Sequence, residues 1–80
     1  MMSDAVRVGV VGAGSWGTAL ANLLAGKGHR VDLWAYEPAV RESIAQKHEN
    51  RMFLPGIKLS GNLSPSNDLA EVVSDKPVVL

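Results

Sequence analysis

Gly12-Ala-Gly14-Ser-Trp-Gly17 places three glycines at the spacing that cradles the pyrophosphate of a dinucleotide. An apolar run, Val6-Arg-Val-Gly-Val-Val11, precedes the turn, and an apolar-periodic segment over residues 18–27 follows it. That order is strand, glycine turn, helix. The three glycines are expected to serve different ends. Gly12 permits the tight turn off the strand, Gly14 lets backbone approach a pyrophosphate, and Gly17 lets the helix pack close to the strand. The helix N-terminus then offers N–H groups and a partial positive charge to phosphate. Glycines at this spacing also serve ordinary turns. The strand before, the helix after and a second strand at the right distance are what carry the nucleotide reading.

The neighbours of these glycines each have two readings. Ser15 suits the N-cap of the helix, a role compatible with ligand binding. Trp16 either packs against the rest of the domain or walls a cofactor cleft, with its backbone N–H joining that of Ser15 on phosphate. Glu37 falls about twenty residues beyond Gly17, where an acid accepts from a ribose 2′-hydroxyl and repels a 2′-phosphate. Asp32 is the competing acid, but it falls within the second strand. Tyr36 stands where it would lie against the adenosine half of a dinucleotide. The plain alternative for the pair is an exposed turn acid and a half-buried tyrosine. His29 and His48 have no partner at metal-ligand or catalytic spacing, and Arg51 and Lys58 read as solvated cations rather than anion ligands.

The elements that must hold this turn follow from periodicity. Ala19, Leu20, Leu23 and Leu24 give the first helix an apolar face, and Gly26-Lys-Gly28 ends it with a glycine for a left-handed cap. Val31, Leu33 and Trp34 form a second strand, and Ala35-Tyr-Glu-Pro38 turns out of it. Pro38 opens a second amphipathic helix through Val40 and Ile44. Residues 48–65 lose all periodicity and read as a long loop, with turn signals at Pro55-Gly56 and Ser60-Gly-Asn62. Asp68 and Glu71 make a capping box before a short helix through Leu69, Val72 and Val73. Lys76-Pro-Val-Val-Leu80 opens a buried parallel strand, so the expectation is the N-terminal piece, or the ordered part, of a longer protein.

Composition narrows the partners. The 80 residues carry 8 lysines and arginines against 8 aspartates and glutamates, which leaves no basic stripe for nucleic acid or an anionic membrane. The absence of cysteine excludes disulfides, CxxC redox chemistry and thiolate metal sites within the chain. Met-Met-Ser-Asp4 lacks a basic n-region, and the apolar run behind it is short and glycine-interrupted, so neither signal peptide nor membrane span is expected.

Gly12-Ala-Gly-Ser-Trp-Gly-Thr-Ala-Leu-Ala21, Val31-Asp-Leu-Trp34, and His48-Glu-Asn-Arg-Met-Phe-Leu-Pro-Gly56 with Asn62-Leu63 and Asp68-Leu69 resemble the NAD(P)-dependent glycerol-3-phosphate dehydrogenases. The resemblance spans nearly the whole chain. It implies an α/β fold, the N-terminal part of a Rossmann-type doubly wound parallel sheet, followed in the family by a helical substrate domain and commonly paired as a homodimer. It implies reversible reduction of dihydroxyacetone phosphate to sn-glycerol 3-phosphate for glycerophospholipid synthesis in the cytoplasm. It also implies cofactor contact at Ser15, Trp16, Tyr36 and Phe53, beside the glycines and Glu37. Many members carry a basic residue after the Leu-Trp of the second strand. Tyr36-Glu37 stands there in this chain, so NAD is favoured over NADP. The family's catalytic lysine and substrate-binding residues lie beyond Leu80, and no catalytic residue is expected within the chain. Another Rossmann dehydrogenase, of sugar-nucleotide or hydroxy-acid type, and a dinucleotide-binding module without chemistry remain as alternatives.

Overall fold

The computed structural model describes residues 6–80. The Met-Met-Ser-Asp4 stretch, considered for a leader, lies outside the described residues. Strands β1 (Arg7–Val11), β2 (Arg30–Trp34), β3 (Leu63–Ser66) and β4 (Val78–Val79) alternate with helices α1 (Ser15–Gly26), α2 (Pro38–Lys47) and α3 (Leu69–Val73). All strand pairs are parallel, in the order β3-β2-β1-β4. The order reverses between β1 and β4, so the first strand lies inside the sheet and its C-terminal end sits at the switch point of the topology.

Two faces of the sheet are covered. Val8 and Val10 share one face of β1 and pack in a cluster with Ala21 and Ala25 of α1, Val31 and Leu33 of β2, and Val40 and Ile44 of α2. Gly9 points to the opposite face, where a side chain would collide with the backbone of Val72 in α3. Helices α1 and α2 therefore lie on one side and α3 on the other, the doubly wound arrangement the glycine turn implied. Leu33 is a fully buried member of this cluster. Truncating it to alanine costs roughly 2–5 kcal/mol by the usual transfer and cavity terms.

Helix α1 turns a different stripe to the sheet from the one its leucines suggested. Thr18, Ala21 and Ala25 are its buried residues, Leu24 is partly buried, and Leu23 is 57% exposed. Small side chains at these positions let the helix axis approach the strands, whereas leucines would hold it off. The end of the helix is as expected, with Gly28 at φ 100° directly after the cap.

The second departure is β3, which begins inside the stretch read as loop and runs one residue past it. Ser64, Pro65 and Ser66 show neither alternation nor β-branched residues, and proline is unfavourable inside a strand. β3 is an outer strand of the described sheet. The carbonyls of Asn62 and Ser66 accept from Val31 and Ala35, so the even positions of β3 face β2 and Pro65 turns its missing N–H to the open edge. The capping box before α3 is also modified. Asp68 accepts from the Glu71 amide at 3.2 Å, but the Glu71 carboxylate accepts from Ser66 Oγ at 2.8 Å, and that hydroxyl in turn accepts from the Asp68 amide. A serine relay closes the box and fastens α3 to β3.

Candidate functional site

Three segments far apart in sequence meet at the C-terminal end of the sheet. Val11 and Trp34 are register partners at the ends of β1 and β2, and the Gly12 amide donates to the Trp34 carbonyl at 3.1 Å. The glycine turn is thereby set beside residues 35–37. The third segment arrives from beyond α2, where Asn50 and Phe53 dock on the turn from below.

Gly12 and Gly17 meet backbone and packing demands of the kind their spacing suggested. Gly12 has φ 109°, a conformation that a side chain strains. At Gly17 a side chain would collide with the Gly12 carbonyl, so close approach demands glycine there. Gly14 has φ −69° and open space around its Cα. Neither the backbone nor any neighbouring atom of the protein requires glycine at that position. A ligand occupying that space would.

Gly14 is also the N-cap of α1, and no side chain caps the helix. This corrects the reading of Ser15 as the cap: Ser15 is the first helical residue, and its hydroxyl donates to the Phe53 carbonyl. The first helical bond runs from the Thr18 amide to the Gly14 carbonyl at 2.9 Å, so the N–H groups of Ser15, Trp16 and Gly17 precede the first internally bonded donor. No acidic residue sits in that first turn to neutralise the positive end of the helix. Trp16 is 77% exposed, which sets aside its packing role among the described residues.

Tyr36 is 74% exposed and tilts against Trp34 with ring centroids 6.1 Å apart. Glu37 is the N-cap of α2, yet its side chain makes no capping bond. Asp32 is engaged elsewhere, 3.1 Å from Lys76 Nζ, which leaves Glu37 as the acid at the end of β2. Sequence reasoning missed Arg41, whose Nη1 donates to the carbonyls of Ala35 and Tyr36 at 2.8 and 2.9 Å and fixes the turn that carries Glu37. His29 accepts from the Val6 amide and His48 ends α2 in the left-handed region, structural roles for both. Arg51 and Lys58 are exposed.

Beneath the turn lies a polar network that periodicity could not show. Asn50, fully buried, donates from Nδ2 to the Ala13 carbonyl at 2.9 Å and to Thr18 Oγ1 at 2.8 Å, and its Oδ1 accepts from the Phe53 amide at 3.1 Å. The buried Thr18 hydroxyl donates to the same Ala13 carbonyl at 3.1 Å. Phe53 itself is half-buried against the core cluster. A shallow depression of about 510 Å³ between α2 and Arg51-Met52 does not include the glycine turn.

A parallel doubly wound sheet with a glycine turn running into a helix N-terminus at the switch point defines a Rossmann-type dinucleotide-binding unit. Residues 7–80 match the family described as NAD-dependent glycerol-3-phosphate dehydrogenase N-terminus, and the chain belongs to that family. Among curated relatives, a glycerol-3-phosphate dehydrogenase [NAD(P)+] of Citrifermentans bemidjiense is 54% identical over 95% of this chain and 23% of its own length. One of Stenotrophomonas maltophilia is 49% identical over all of this chain and 24% of its own. The chain thus spans about a quarter of the length of these relatives. Among solved structures, glycerol-3-phosphate dehydrogenase from Coxiella burnetii superposes with a TM-score of 0.84 at 33% identity, over 94% of this chain and 23% of that one. The Saccharomyces cerevisiae enzyme gives 0.84 at 30%, over 95% and 25%.

Proposed function

We propose that this chain is the N-terminal, cofactor-binding part of an NAD(P)-dependent sn-glycerol-3-phosphate dehydrogenase. The reaction is reversible hydride transfer between NAD(P)H and dihydroxyacetone phosphate, giving sn-glycerol 3-phosphate for phospholipid synthesis. The observation that carries this reading is Gly14: a glycine the protein's own packing does not need, at the head of an uncapped helix, in a chain of this family. The remainder of the Rossmann domain, a helical substrate domain, a homodimeric assembly and a cytoplasmic setting belong to the same proposal. No helix among the described residues is long and apolar enough to cross a membrane.

The residues fit a dinucleotide as follows. The N–H groups of Ser15 and Trp16 would hold the pyrophosphate, with the helix dipole favouring its charge. Gly12 and Gly17 keep the turn tight enough for that approach. Glu37 would accept from the adenosine ribose, and Tyr36, Trp16 and Phe53 would bound the cofactor with their rings. When bound, the nicotinamide supplies or takes the hydride. The chain's own contribution is orientation and electrostatics, and the proton-transferring group is proposed to lie beyond Leu80.

Purified full-length protein should oxidise NADH when given dihydroxyacetone phosphate, followed as loss of cofactor absorbance. NADH oxidation with a 2-keto acid or a nucleotide sugar in its place would move the protein to another dehydrogenase class. Cofactor binding with no turnover on any of these would make it a binding module.

A further inference from the structure

We infer that Asn50 is a positioning residue of the dinucleotide site, a bolt that aims the phosphate-facing amides of the glycine turn and locks the Phe53 segment to them. This rests on the proposed cofactor-binding role and names a residue responsible for its geometry. The orientation of the Asn50 amide is fixed by chemistry, because the Ala13 carbonyl only accepts and the Phe53 amide only donates. Nδ2 must face the turn and Oδ1 must face Phe53.

A trans peptide unit is planar, with its C=O and N–H pointing in opposite directions. Asn50 and Thr18 both hold the Ala13 carbonyl toward the interior, so the Gly14 N–H of the same peptide is turned outward, on the side where Gly14 has open space. The helix capped by Gly14 inherits that orientation, and with it the N–H groups of Ser15 and Trp16. From its other end Asn50 fixes the Phe53 amide, and the Phe53 carbonyl accepts from the Ser15 hydroxyl. One buried side chain thus joins two segments 37 residues apart in sequence, and the Ser15–Phe53 bond ties the same two segments at the surface. Without it the Ala13 carbonyl keeps only Thr18, and the peptide is freer to rotate its neighbouring N–H away from phosphate.

The selective consequence separates positioning from mere stability. A bolt on the phosphate-binding amides affects ligands that carry a pyrophosphate and spares those that do not. The experiment compares full-length wild type, Asn50→Ala and Asn50→Asp. The aspartate keeps size and the Phe53 acceptor but sets an oxygen against the Ala13 carbonyl. Inhibition constants for ADP-ribose and for adenosine are measured with the KM for NADH and for dihydroxyacetone phosphate. Both variants are expected to weaken ADP-ribose and raise the NADH KM by roughly tenfold or more, with adenosine and dihydroxyacetone phosphate changed by less than about twofold. Thr18→Val, close in shape but without the hydroxyl, should show the same selectivity with a smaller loss, and it stands in if neither Asn50 variant folds. Equal loss of ADP-ribose and adenosine, or no loss of either, overturns the proposal. Failure of wild type to bind ADP-ribose or NADH would instead remove the cofactor-binding reading itself.

Discussion

Lys76 Nζ stands 3.1 Å from Asp32 Oδ2, an ion pair that joins the segment before β4 to the second strand of the sheet. The lysine side chain is almost fully buried, 2% exposed, and the aspartate is 34% exposed. Nζ also donates to the Glu71 carbonyl at 2.9 Å, so the cation is shared between β2 and α3. Asp32→Ala would leave a buried ammonium with carbonyl partners alone. The expected cost is about 1–3 kcal/mol, below that of a fully buried pair because the carboxylate is partly solvated. Denaturant unfolding of the full-length protein checks this. NADH affinity should stay unchanged, since Asp32 is held by Lys76 and the proposed ribose acceptor is Glu37.

In the proposed function, Glu37 is the residue that sets the choice of cofactor. Its carboxylate leaves α2 uncapped, and Arg41 Nη1 donates to the carbonyls of Ala35 and Tyr36. The expected outcome is that NADH is used at least as well as NADPH, and that Glu37→Ala raises kcat/KM for NADPH relative to NADH by about tenfold. Steady-state kinetics with both cofactors decides it. A strong NADPH preference that survives Glu37→Ala would show that Glu37 does not meet the ribose.

The parts of this site that follow local rules were legible in the sequence. Gly12 and Gly17 have the backbone and packing demands that their spacing implied, and Gly14 has the open space. What stayed hidden depends on tertiary partners. Helix α1 carries apolar residues on more than one face, and only the closeness of the sheet selects Ala21 and Ala25 over Leu23. β3 has no alternation to read, because Pro65 and its serines sit on an outer strand. Asn50 stands between Glu49 and Arg51, with nothing in its neighbours to signal burial. Its bonding partners on the turn are 32 and 37 residues away.

Within residues 1–80, β4 is an outer strand of the described sheet, and its Val78 and Val79 are 38% and 44% exposed, with Leu80 directly after it at 50%. Unpaired edges of this kind invite strand addition between copies. The isolated segment is expected to self-associate with rising concentration in sedimentation velocity and to show no dihydroxyacetone phosphate reduction. A stable monomer that turns substrate over would place the chemistry within these residues.

Gly14→Val in the full-length protein tests the cofactor site most directly. The substituted position has an ordinary backbone conformation and no neighbour within 4 Å of an added Cβ, so the protein should stay folded, with a loss of about 1–2 kcal/mol for an apolar β-branched residue at the N-cap of α1. The same side chain would occupy the space a pyrophosphate needs. Calorimetric titration with NADH should therefore show affinity reduced by roughly a hundredfold or more, about 2.7 kcal/mol, in a protein that remains folded. Wild-type affinity in the folded variant would contradict the assignment of the glycine turn as the dinucleotide site.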